Sequence, residues 1–296
     1  MNPEELEKWR KAGKLGTELL QYAKSIAKPG TKLLEIAEKV ETRMQELGVK
    51  SAFPINLSVD AVAAHSSPSY NDEEIAQGLL KIDLGISVDG YISDLACSID
   101  FTPDQKNKKL IEASQKALQE AIKLIKPGAE LKEIGRKIQS TITNEGFAPI
   151  INLSGHELKQ YNLHSGLTIP NYDNGNMTIL KEGMVLAIEP FATTGQGIVQ
   201  DGRSSGIYKF EEEHNTRDQL AREILKFIQE EYRDLPFSAR WIVKKYGVRG
   251  LFSLRSLEEA NCLHHFNQLV EKTKMPVSQA EATVLVTKDG HEVLAK

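Results

Sequence analysis

Five ionisable side chains stand in segments that otherwise read as apolar strands. Asp83 and Asp94 lie on either side of a tight turn in "KIDLGISVDGYISDL", residues 81–95. His156 follows "PIINLSG", Glu189 closes "MVLAIE", and Glu281 sits inside "SQAEATVLV". A carboxylate is a poor strand former and costly to bury alone. Centring the turn on Asp89-Gly90, the expected two-residue hairpin loop, pairs Val88 with Tyr91. Gly85 then falls opposite Asp94 and Asp83 opposite Ala96, which makes the two acids diagonal neighbours on one face, ~7 Å apart or closer. At that spacing in a low dielectric, either one acid takes up a proton or a cation sits between them. The other face carries Ile82, Leu84, Ile86 and Val88 with Tyr91, Ser93, Leu95 and Cys97, and suits a covering layer of helices.

Taken together, the five residues argue for a metal site of four carboxylates and one imidazole. That oxygen-rich set suits a pair of first-row divalent ions such as Mn, Fe, Co or Zn. A structural zinc site is not indicated, because Cys97 and Cys262 stand alone. Five ligands exceed one tetrahedral shell and carboxylates bridge, so two ions ~3.5 Å apart that activate a water are the economical reading. Neither a Walker phosphate loop nor a serine-nucleophile elbow is present. The chemistry expected is hydrolysis. His65, in "AVAAHSS", and His164, in "ELKQYNLHSG", sit on no clear apolar stripe. Each is either a loop histidine or a donor to a substrate carbonyl or amide in the cleft.

Two similar halves are expected to position these groups. Residues 4–26 keep a helical period through Trp9, Ala12, Leu15, Leu19, Leu20 and Ala23, and Pro29-Gly30 stops them. A second helix spans about 33–47. The order recurs with helices at 106–125 and 131–145. "PGTKLLEIAEKVETRMQELG" (29–48) aligns without a gap on "PGAELKEIGRKIQSTITNEG" (127–146), and "INLS" occurs at 55–58 and again at 151–154. These repeats predict two halves, each helix, helix, strand, with a cleft between them. Further strands are expected at 184–189 and 278–287. Residues 215–272 read as a polar helical insertion with local basic character from Arg240, Lys244, Lys245 and Arg249.

The bulk numbers fit a globular protein. The chain has 296 residues, 40% of them hydrophobic and 26% charged, enough for one large domain or two smaller ones. A net charge of −4 gives no support for a nucleic-acid partner recruited by global charge. Two cysteines fit a reducing compartment, and "MNPEELEKWRK" has no apolar stretch of a secretory signal. A cytoplasmic setting is expected, with no membrane partner.

"KIDLGISVDGYISD", "NLSGHELKQYNLHSG", "LAIEPF" and "SQAEAT" together resemble the methionine aminopeptidase family of pita-bread metallopeptidases. The stretch between Glu189 and Glu281 is similar to the insertion of the type 2 class, and the short N-terminal part to its archaeal form. The resemblance implies an α+β pita-bread fold (the creatinase/aminopeptidase fold) over 1–296. Its halves would be related by a pseudo-twofold axis, with antiparallel sheet covered by helices and 215–272 as an inserted helical subdomain. It implies that Asp94 and Glu281 bridge two divalent ions (Co, Mn, Fe or Zn), that Asp83 binds one, and that His156 and Glu189 bind the other. Glu189 would also exchange protons with the attacking water, His65 would contact the scissile amide, and His164 would support the oxyanion. Phe53, Leu163 and Phe191 would receive the methionine side chain, for which an apolar slot is suited.

The implied activity is removal of the initiator methionine from a nascent polypeptide, at a ribosome or free of it, when the next residue is small. A monomer is the default. The family's Gln-Phe-Glu-His-Thr is here Gln279, Ala280, Glu281, Ala282, Thr283. Strand alternation puts both alanines on the face opposite Glu281, so thinner packing is expected there rather than a lost ligand. Phe266-Asn267 replaces a Tyr-Pro, and "HSSP" (65–68) replaces His-Tyr-Thr-Pro. Two alternatives share the fold. One is a prolidase or aminopeptidase P, whose extra leading domain has no room here. The other is a non-catalytic relative that binds protein or RNA, and such a relative would lack ligands that this chain keeps.

Overall fold

A computed structural model describes residues 1–296. Helix α1 (Pro3–Ile26) opens with a reciprocal cap, in which the Glu5 amide donates to Asn2 Oδ1 at 2.9 Å and the Asn2 amide donates to the Glu5 carboxylate at 2.9 Å. Helix α2 (Leu33–Glu46) and strands β1 (Lys50–Val59), β2 (Val62–Ala64), β3 (Leu79–Val88) and β4 (Tyr91–Asp100) follow. Strands β1, β3 and β4 form one antiparallel sheet in that order. The hairpin turn lies at Asp89-Gly90, with φ of 52° and 88°, a left-handed pair that Gly tolerates freely and Asp better than most. Val88 pairs with Tyr91, Gly85 with Asp94, and Asp83 with Ala96, as the sequence predicts. The apolar face of this hairpin packs under α1 and α2, where Ile82, Leu84, Ile86 and Leu95 join Leu19, Ile36 and Val40 in one core.

The second half starts the same way. Helix α3 (Lys108–Ile122) leads to α4 (Leu131–Asn144), which has the same 14-residue length as α2. The turns before them match as well: Gly30 N–H donates to Ala76 O and Gly128 N–H to Leu180 O, each at 2.9 Å. Then come β5 (Ala148–Pro149), β6 (Ser154–Leu158), β7 (Thr168–Pro170), β8 (Val185–Ile188) and β9 (Phe191–Thr193). The repeated "INLS" differs between the halves. Residues 55–58 run inside β1, whereas residues 151–153 turn between β5 and β6, and only Ser154 is in a strand. The helix pair carries the repeat and the tetrapeptide does not.

Strand β10 (Val199–Phe210) leaves this half, and α5 (Gln219–Glu231), β11 (Phe237–Ser238), α6 (Ala239–Tyr246) and α7 (Arg249–Glu259) follow around a separate small core that includes Ile224, Phe237, Ile242 and Leu254. The helical reading of 215–272 fails at its end, because β12 (Leu263–Glu271) is a strand between β10 and β2. Its sequence "LHHFNQLVE" has polar residues spread along it, and pairing on both edges decides its conformation. The last strands are β13 (Val277–Gln279), β14 (Ala282–Val286) and β15 (His291–Ala295). The predicted strand 278–287 is therefore broken at Ala280 and Glu281. A five-stranded sheet runs β15-β14-β8-β6-β7, antiparallel throughout, with α3 and α4 over Leu186, Ile188, Ala282 and Val284. Ala280 and Ala282 lie in that core, on either side of Glu281 at the break. No helix is long and apolar enough to cross a membrane.

Candidate metal centre and catalytic cleft

The two halves meet along β4 and the β13–β14 segment. Glu281 N–H donates to Ala96 O at 3.1 Å. The Ser98 hydroxyl accepts from Gln279 N–H and donates to Gln279 O, both at 2.8 Å. These bonds bring Glu281, in the break between β13 and β14, beside Asp94 on β4. His156 comes from the middle of β6, and Glu189 directly follows β8. Side-chain oxygens of Asp94 and Glu281 and a ring nitrogen of His156 lie within 4.8 Å of one another. His156 Nε2 is 3.5 Å from Asp94 Oδ2 and 3.7 Å from Glu189 Oε1. Asp83 joins through Gln279, whose Nε2 donates to Asp83 Oδ2 at 3.2 Å and to Glu281 Oε2 at 3.4 Å.

The electrostatics of this cluster call for a cation. Burial pushes the Asp83 carboxyl up to about 7, against the lowering effect of the Gln279 bond. Burial and then the neighbouring carboxylates push Asp94, Glu189 and Glu281 well above the ordinary range. Burial, and then the nearby His164 ring, hold His156 well below an ordinary histidine. The cluster lines a cavity of about 240 Å³ whose nineteen lining residues include four acids and no lysine or arginine. Lys81, though buried, spends its ammonium on Asp60 O (2.7 Å) and Leu79 O (3.3 Å). Asp83 Oδ1, Asp94 Oδ1 and His156 Nδ1 are buried without hydrogen-bond partners. Oxygen donors with one imidazole, no internal countercharge and unpartnered buried atoms fit divalent cations.

All ten residues singled out from the sequence line this one cavity: Asp83, Asp94, His156, Glu189, Glu281, His65, His164, Phe53, Leu163 and Phe191. His65 has a left-handed backbone, φ 55°, and its ring meets Phe266 edge-on at 5.3 Å. The His164 ring lies 4.3 Å from that of His156. Phe53 packs over Gly85, where a Cβ would come within 2.2 Å of the Phe53 ring, so this wall needs the missing side chain. His264 and His265 stay outside the cavity; His265 stacks on Tyr208 at 4.2 Å and bonds Ser204 at 2.8 Å.

The sequence reading missed several residues here. Asn56, Asn152, Ser154, Ile207, Pro236 and Leu269 also line the cavity. Gln279 ties two acids together, and Thr283 holds the backbone of a third. For Gln279 a signal existed: it stands two residues before Glu281, on the same face of an alternating strand. Asn56 carried the signal of the aspartates themselves, a polar side chain within an apolar strand.

Metallopeptidase family M24 matches residues 7–250. The chain is 41% identical over 298 residues to a methionine aminopeptidase of Methanocaldococcus jannaschii, covering all of both chains. Among solved structures, that of a thermophilic Arx1 superposes with a TM-score of 0.87 at 16% identity, covering 100% of this chain and 91% of that one. A methionine aminopeptidase from Rickettsia prowazekii superposes with a TM-score of 0.73 at 22% identity, covering 100% and 98%. At those identities the two structures speak for the fold, which is the pita-bread fold.

Proposed function

The chain belongs to metallopeptidase family M24, among its methionine aminopeptidases, and from that premise we propose that it removes the initiator methionine from polypeptides whose second residue is small. Four acids, Asp94 and Glu281 buried and Asp83 and Glu189 half-buried, gathered with one buried histidine in a cavity without an internal countercharge, carry the reading. Asp83, Asp94, His156, Glu189 and Glu281 would hold two divalent ions, drawn from Co, Mn, Fe or Zn. Such ions, when bound, polarise a scissile carbonyl and make water acidic enough to attack near neutral pH.

The chain's own residues supply the rest. Glu189 would take the proton of the attacking water on its carboxylate and return it to the leaving amine. Burial, and then its neighbours Asp94 and Asp83, raise its proton affinity, which favours that exchange. His65, kept neutral by burial, would donate a hydrogen bond at the scissile amide. His164, whose ring lies beside that of His156, would donate to the developing oxyanion. Phe53, Leu163 and Phe191, each under a tenth exposed, form the slot for an unbranched thioether side chain. We read 1–296 as one catalytic domain, with α5–α7 inserted and β12 returned to its sheet. A nascent chain in the cytoplasm is the substrate this reading implies, and a monomer the working form.

The test is release of the first residue from Met-Ala-Ser, compared with Ala-Pro peptides, by enzyme loaded in turn with each of the four metals. Cleavage of Met-Ala-Ser alone supports the proposal. Cleavage of Ala-Pro alone would transfer it to the prolidase branch.

A further inference from the structure

Asn56 lies on β1 directly opposite Asp83 in the antiparallel register. Cross-strand partners present their side chains on one face, so the Asn56 amide shares the cavity face with Asp83, and it lines the cavity. The residue is only 5% exposed. Its Nδ2 donates to the carbonyl of Pro54 at 3.1 Å, which assigns the two ends of the amide. The other end, Oδ1, is buried and has no partner in the chain. Buried acceptors are nearly always satisfied, so an orphan beside a cleft points to a donor that arrives with a ligand. The unpartnered oxygens of Asp83 and Asp94 belong to acids and suit cations. A neutral amide oxygen suits an N–H donor better.

This step rests on the aminopeptidase reading above. Phe53, three residues before Asn56, stands in the apolar slot, and Asp83, opposite Asn56, stands in the acidic cluster. The α-amino group of an N-terminal residue branches from the carbon that joins its side chain to the scissile carbonyl. A side chain in the slot and a carbonyl at the cluster therefore place that amine between Phe53 and Asp83, where Asn56 stands. We infer that Asn56 Oδ1 accepts a hydrogen bond from the α-amino group of the substrate's first residue, and that this contact makes the cleft select unblocked N-termini.

The test compares two probes by calorimetry on the manganese-loaded enzyme. One is L-methionine, the product. The other is 4-(methylthio)butanoate, the same molecule without its amine. The wild type is expected to prefer methionine, and Asn56→Ala and Asn56→Leu to lose about tenfold of that preference, the scale of one buried hydrogen bond. Binding of the deaminated probe and the manganese stoichiometry should hold in both variants, which also guards against misfolding. An unchanged preference, an equal loss for both probes, or a fall in manganese binding would each overturn the inference. A wild type that neither binds methionine nor cleaves Met-Ala-Ser would overturn the aminopeptidase reading first, and this inference with it.

Discussion

The Thr283 hydroxyl holds Asp94 by both sides of its backbone, accepting from the Asp94 amide at 2.8 Å and donating to the Asp94 carbonyl at 2.8 Å. Ser98 does the same to Gln279, and Glu281 bonds Ala96 between them. The free edge of β4 is thus stitched to the β13–β14 edge, antiparallel and two residues at a time. Residues 189 positions apart in the chain meet through this seam. The acids that would share two ions, Asp94 and Glu281, sit on it.

Thr283→Val keeps the shape and removes both bonds. Thr283 is fully buried, so the Asp94 amide and carbonyl would be left without partners. The variant should lose about 1–3 kcal/mol of stability in a denaturant melt. Methionine release should fall about 10- to 100-fold, because the bond orients a ligand from behind. Thr283→Ser should recover most of both.

Gln279→Leu would strip Asp83 and Glu281 of a shared donor. Ion affinity, followed by competition with a fluorescent chelator, should weaken about 10- to 100-fold. Stability without metal should change less, since the leucine removes the amide and its unpartnered Oε1 together.

Arg240 ties α6 to α2. Its guanidinium makes two bonds to Glu41, at 2.7 and 2.8 Å, and a third to the carbonyl of Pro68, at 3.1 Å. Arg240 is 5% exposed. Arg240→Ala would leave the Glu41 carboxylate half-covered with only Trp241 as donor. A loss of about 3 kcal/mol is expected in a urea melt. Pro68 lies three residues after His65, so KM for Met-Ala-Ser should rise as well.

Glu271 supplies the pH dependence. Burial pushes its carboxyl up, but bonds from Thr273, Met275 and Gln196 outweigh burial and hold it below the ordinary glutamate range. With the folded value depressed, its stabilisation is present above the unfolded value, about 4.3, and is lost as pH falls through the folded one. Glu271→Gln should therefore cost about 2–3 kcal/mol at pH 7. The gap between variant and wild type should close below pH ~4. A gap of constant size across that range would show that the charge contributes nothing.

The legible parts of this molecule were those set by local chemistry. Asp89-Gly90 fixed a hairpin register, and the register alone put Asp83 and Asp94 on one face. The repeated helix pair was legible because apolar spacing and closing glycines are local features. Strand β12 was not, since "LHHFNQLVE" is decided by partners at 62–64 and 199–210. Asn56 shows in the sequence as a polar residue in an apolar strand, but its burial and its place opposite Asp83 appear only once β1 is paired. Thr283 acts across the seam between the halves, and one chain segment does not carry that information.

Anomalous diffraction from a manganese-soaked crystal tests the central claim most directly. Two peaks are expected within ligand distance of Asp83, Asp94, His156, Glu189 and Glu281, with Asp94 and Glu281 touching both. Empty density among those five side chains, in a crystal that binds manganese elsewhere, would contradict it.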